Sequence, residues 1–145
     1  MAGMHALANP ARFQRFSARA LPWSAGLTAI LLLVGLYMAF FVAPPDYQQK
    51  ETVRIMFVHV PAAWWSMAGY AFLAALGAAL LVWKHPLAAL MARAAAPVGA
   101  AFAATCLITG SFWGRPMWGT WWVWDARLTS MLVLFFLFLG HIALS

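Results

Sequence analysis

Four stretches of this chain, residues 24–43, 62–83, 94–113 and 128–145, contain no Asp, Glu, Lys or Arg. Each reaches or approaches the ~20 apolar residues that a helix needs to cross the hydrocarbon core of a bilayer. In lipid every backbone N–H and C=O must be paired within the protein, which a continuous helix achieves. The punctuation between the runs agrees with this reading. Pro44-Pro45-Asp46 stops the first run, because proline breaks the hydrogen-bond ladder and aspartate is costly in lipid. Pro61 is expected to open the second, Lys84-His85-Pro86 closes it, and Asp125 stands where it can cap the fourth.

The predicted fold is an all-α integral membrane protein: one membrane domain over residues 1–145, a bundle of four transmembrane helices with a tryptophan-rich outer loop. With 66% hydrophobic and 8% charged residues, the chain cannot clothe a soluble domain. Its formal charge of +6 is scattered at the margins of the apolar runs and forms no stripe, which argues against nucleic acid. Those basic residues read as topology signals. Arg12, Arg15, Arg19, Lys84 and Arg93 would lie on one side, and Lys50, Arg54, Arg115 and Arg127 on the other; the N-terminal cluster places the first side in the cytoplasm. Loops 44–60 and 114–127 then face outward, which in a bacterium is the periplasm. Residues 46–59 are expected to form a short helix lying in the interface. The first run is longer than the ~7–15 residues of a signal-peptide core, so it reads as an uncleaved span. The last run reaches Ser145 without a charged stop, and the chain is expected to be part of a longer protein.

Five of the nine tryptophans, Trp113, Trp118, Trp121, Trp122 and Trp124, fall from the last residue of the third run to the start of the fourth. Interfacial tryptophans normally come singly at span ends. Five together, with glycines that let a backbone approach closely, suit a floor for a large flat apolar molecule; an over-rich aromatic belt is the alternative. Of the four histidines, His59 sits at the expected outer boundary beside Pro61, Trp64 and Trp65. His5 and His85 lie on the cytoplasmic side. His141 is 13 residues beyond Leu128, about 20 Å deeper at the helical rise, so it cannot share an iron with His59. One outer histidine beside a tryptophan platform suggests a surface-held heme with a single axial ligand from this segment. The alternative is an interfacial histidine bonded to backbone.

Arg54 and Arg127, with Arg115 as a weaker candidate, could pair with heme propionates or with lipid headgroups. Asp125 reads either as part of that site or as a plain helix cap. The lone Cys106 reads as a buried inert thiol, and no Cys-x-x-Cys-His motif is present, so any heme is held non-covalently, as a b-type heme is. There is no phosphate-binding Gly-rich loop, no His-Glu-x-x-His and no carboxylate pair, so energy from ATP would come from a partner.

The segment Trp118-Gly119-Thr120-Trp121-Trp122-Val123-Trp124-Asp125-Ala126-Arg127-Leu128-Thr129-Ser130, with Met56-Phe57-Val58-His59-Val60-Pro61-Ala62-Ala63-Trp64 before it, resembles the CcmC family of tryptophan-rich heme-handling membrane proteins. The resemblance implies that these are the first four of six spans in a bacterial inner-membrane protein. It implies a heme at the periplasmic face over the tryptophan-rich loop, held by two outer histidines. His59 matches the first of these; the second would lie in a later outer loop. It also implies partners: the heme chaperone CcmE as recipient, with the CcmA/CcmB transporter and CcmD. On this reading the protein is not an enzyme but presents heme during c-type cytochrome biogenesis. Two other functions remain open on the residues alone. One is a quinone- or heme-dependent oxidoreductase subunit, and the other is a structural subunit that docks a transporter through its tryptophans.

The topology is checked by cysteine labelling at Gln49→Cys and Thr120→Cys. Both sites should react with an impermeant reagent from the periplasm, and reaction of either from the cytoplasm alone would defeat the orientation.

Overall fold

The computed structural model describes residues 9–145, and among them only helices and short connections occur. Helix α1 spans Pro10–Tyr37 and passes into a π turn, Met38–Val42; α2 spans Val53–Trp83, α3 Ala88–Trp118 and α4 Ala126–Leu144. All four are long and apolar enough to cross a membrane. Helices α2 and α3 have 31 residues each, roughly 46 Å at the helical rise, and so exceed a hydrocarbon core of ~30 Å. Helix α4, with 19 residues, barely spans it.

The helices run past the apolar segments that announce them. Helix α1 begins at Pro10, with Asn9 accepting from the Ala11 amide. It takes in Arg12, Arg15 and Arg19, good helix formers with no breaker before Pro22. Its last residues widen into the π turn, marked by the Ala43 amide bonding to the Met38 carbonyl five residues back, before Pro44 ends it. The expected interfacial helix over 46–59 is not present as such. Asp46 instead closes a tight turn, accepting from the Gln48 and Gln49 amides, and α2 starts at Val53. Pro61 therefore lies inside α2 rather than opening it. An interior proline deprives one carbonyl of its partner, a loss that packing against neighbouring helices offsets in membrane bundles. Helix α3 continues through Trp113, Arg115 and Pro116 and stops where Gly119 takes a left-handed φ of 78°. The second connection is correspondingly shorter than the expected 114–127. At the opposite end Lys84, at φ 49°, closes α2, and the His85 amide reaches back to the Ala79 carbonyl.

Two facing stripes hold α2 against α3. On α2 they are His59, Ala62, Ser66, Gly69, Leu73 and Leu76; on α3 they are Ala96, Gly99, Ala103, Cys106, Gly110 and Trp113, each stepping by three and four. That alternation keeps one face toward a partner helix. Most of these residues are small, as expected where association rests on close packing rather than on the hydrophobic effect. At Gly69 even an added methyl would stand only 3.5 Å from the Gly99 Cα. Phe138 of α4 fills the notch: its ring is fully buried, lies against Gly99 and meets Tyr70 edge-on at 5.2 Å. Ser66, also fully buried, bonds to the Ala63 carbonyl and touches Met131 Sδ. Helix α1 stands apart, exposed along most of its length, and meets α2 through its π turn.

A methyl group at Gly99 would fall within the Phe138 ring. Gly99→Ala should therefore cost about 1–3 kcal/mol, the usual cost of overpacking a fitted core. The same change beside Phe138→Leu should cost less than the sum of the two single variants. Thermal unfolding in detergent measures both, and strict additivity would show that the ring and the glycine are not in contact.

Candidate functional site

The connections 43–52 and 119–125 lie at one end of the bundle, where the aromatic residues collect. Below them a cavity of about 430 Å³ opens between α2, α3 and α4. His59 and three methionines, Met56, Met67 and Met131, contribute to its wall, and Trp113, Trp118 and Arg127 reach it from the tryptophan end. His59 stands six residues after the start of α2 and faces α3, whereas Trp64 and Trp65, its expected companions, point away and are exposed. The imidazole Nδ1 is 3.1 Å from the Cys106 carbonyl oxygen and 3.0 Å from Thr109 Oγ1. Among the described residues Nε2 has no hydrogen-bond partner, which leaves it to the cavity that the ring lines.

Above the cavity a chain of contacts ties the two connections together. Asp125 is the N-cap of α4: one oxygen accepts from the Leu128 amide at 2.9 Å, and the other accepts from Arg127 Nε and Nη2 at 3.0 and 2.8 Å. Arg127, held in this way, lies over the Trp118 ring at 5.2 Å, within cation–π range. Trp118 meets Trp113 edge-on at 5.0 Å, and the Trp113 indole N–H donates to Gln49 Oε1 at 2.8 Å. Thr52 touches Met117 beside it. Arg115 is turned back to the Gly119 carbonyl.

The five loop-region tryptophans thus divide. Trp113 and Trp118 line the cavity; Trp121 packs edge-on against Phe112, and Trp122 against Trp124, on the surface around it. Trp121 and Trp124 are largely exposed, while the Trp122 indole nitrogen is buried without a hydrogen-bond partner among the described residues. Arg54 does not reach the cavity: its Nε pairs with Glu51 at 2.7 Å in the first turn of α2. His141 lies near the far end of α4, and His5 falls outside the described residues. Gln49, Thr109, Gly110 and the methionines did not stand out in the sequence. A usable signal was there, since Cys106, Thr109, Gly110 and Trp113 follow helical spacing on one face of α3.

Two comparisons with known proteins bear on this arrangement. The family described as heme exporter protein C matches residues 3–145. Among individual relatives, heme exporter protein C of Bradyrhizobium diazoefficiens is 58% identical over 138 residues, covering 95% of this chain and 52% of that protein. The protein of the same name from Escherichia coli K12 is 51% identical over 97% of this chain and 58% of its own length. That of Rhodobacter capsulatus is 45% identical over 94% and 57%. The chain thus spans little more than half the length of these relatives.

The Asp125 carboxyl is held below its ordinary value of 3.8, first by the Leu128 amide and then by Arg127. A carboxylate with a depressed folded pKa stabilises the fold above the ordinary value and loses that contribution as pH falls through the depressed one. The Leu128 amide should accordingly be protected from hydrogen exchange at neutral pH. That protection, relative to the intrinsic rate, should fade only below the 3.8 of a free carboxyl. Asp125→Asn should retain the cap, remove this pH dependence and release Arg127. Exchange at Leu128 that ignores both acid and Asp125→Ala would disprove the cap.

Proposed function

Since the chain belongs to the heme exporter protein C family, we propose that its tryptophan end holds heme as cargo and presents it during c-type cytochrome maturation. The site faces the periplasm from a bacterial inner membrane, and the heme chaperone CcmE is the recipient. The observation that carries this reading is the cavity that combines His59, its Nε2 without a hydrogen-bond partner among the described residues, with apolar walls and a cation at the mouth. At about 430 Å³ it lies within the ~300–1,000 Å³ usual for small-molecule sites.

The residues suit such a cargo in three respects. An imidazole nitrogen with a free lone pair is a ligand for iron. Met56, Met67, Leu107 and Met131 offer adaptable apolar contact, while Trp113 and Trp118 add indole surface and Trp121, Trp122 and Trp124 extend the aromatic surface outward. Arg127, oriented by Asp125, suits a carboxylate at the rim. Arg54 in this reading braces the start of α2 against Glu51. The only cysteine is buried in the α3 seam, in keeping with non-covalent, b-type heme. Handling of this kind binds, orients and releases without chemical conversion. The exposed flanks of the bundle suit lipid and the CcmA/CcmB and CcmD partners.

Removing the ligand tests the reading. In the full-length protein in lipid, His59→Ala should alter the heme absorption spectrum and weaken heme retention by more than the ~10–100-fold cost of losing a mere orienting partner. Added imidazole should restore part of the spectrum, and His141→Ala should leave it unchanged. A silent His59→Ala beside a disturbed His141→Ala would sink the proposal.

A further inference from the structure

Both groups facing His59 Nδ1 are acceptors. The Cys106 carbonyl, 3.1 Å away, can only accept. The Thr109 hydroxyl, 3.0 Å away, has a single proton, and its Oγ1 lies 2.7 Å from the Thr105 carbonyl and 3.2 Å from that of Cys106. Whichever carbonyl takes that proton, Oγ1 presents a lone pair to the ring. A bare Nδ1 would set its lone pair against that of the Cys106 carbonyl and could be met only by drawing the Thr109 proton away from its own carbonyl, whereas an N–H satisfies both contacts. The Cys106 thiol, at 3.8 Å, is a weak and distant third neighbour. A doubly protonated ring would call for a counter-ion, and the three acids of the chain are engaged elsewhere: Glu51 with Arg54, Asp125 with Arg127, and Asp46 with the Gln48 and Gln49 amides. Gly110 lets the ring come this close, since a Cβ there would stand 3.0 Å from His59 Cε1.

We infer that Thr109 is a positioning residue that, together with the Cys106 carbonyl, holds the His59 imidazole as its Nδ1–H tautomer and so reserves the Nε2 lone pair for a ligand in the cavity. The bond made by one ring nitrogen sets which form the other nitrogen takes. Only the identity of that ligand as heme iron rests on the function proposed above; the tautomer rests on α3 alone.

The test begins without heme. In lipid-reconstituted protein with ¹⁵N-labelled histidine, and with His59→Gln to identify the signals, ring ¹⁵N resonances at neutral pH should show Nδ1 protonated and Nε2 bare. Thr109→Ser should keep that state. Thr109→Val, nearly the same shape without the acceptor, should lower the ratio of Nδ1–H to Nε2–H by about three- to ten-fold, one ordinary hydrogen bond's worth. Protonation at Nε2 in the unaltered protein, or an unchanged ratio in Thr109→Val, would overturn the inference. Hemin titration supplies the second arm: Thr109→Val should weaken binding about ten-fold or more and Thr109→Ser should not. A tautomer shift that hemin binding ignores would leave the positioning role standing and count against heme as the ligand. Hemin binding that requires His59 while its ring carries the proton on Nε2 would overturn this inference alone.

Discussion

At Gly69 and Gly99 no side chain separates α2 from α3, and the geometry of the tryptophan end follows from that contact. Inside a bilayer there is little gain in hiding one apolar surface from another, so helices associate where shape permits many short van der Waals contacts. The small-residue seam supplies that shape over several turns. It also sets the depth at which His59 meets Cys106 and Thr109, because His59 and Cys106 lie on the paired stripes and Thr109 stands beside them on α3. Phe138 then locks α4 to the pair, which brings Asp125 and Arg127 to the rim.

The polar groups at that rim are arranged in sequence rather than in a cluster. Asp125 satisfies a helix amide and orients Arg127; Arg127 covers Trp118; Trp118 props Trp113; and Trp113 reaches Gln49 across the gap between the two connections. Each link is modest, and the exposed ion pair is worth little by itself. Linked in this way, they tie the last turns of α3 and the start of α4 to the short connections on either side.

Much of this was legible in the sequence, and for physical reasons. Charge-free runs and proline stops mark spans because lipid excludes unpaired polar groups. His59 stands out because a histidine is unusual in or beside an apolar stretch, and the tryptophans because five of them lie close together where one is usual. Helix ends were harder to read. Hydropathy reports where lipid is tolerated, not where the hydrogen-bond ladder stops, so Val53–Val60 and Gly114–Trp118 belong to helices that the apolar runs do not reach. Pro61 misled for a related reason: a proline that would end an isolated helix persists inside one held by a neighbour. Thr109 and Gln49 were invisible as single letters, since their roles depend on residues about fifty and sixty-four positions away.

The α2–α3 seam also bears on inheritance. Along its stripes a position is constrained by volume: alanine at Gly99 is too large, and leucine at Ala96 or Ala103, both fully buried, would wedge the helices apart. On the opposite faces, at Val98, Ile108 and Leu81, lipid asks only for hydrophobicity, and one apolar side chain serves as well as another. Drift in such a protein is therefore periodic. Size should be retained on a stripe that recurs twice in every seven residues, while the lipid-facing letters should change freely among apolar residues.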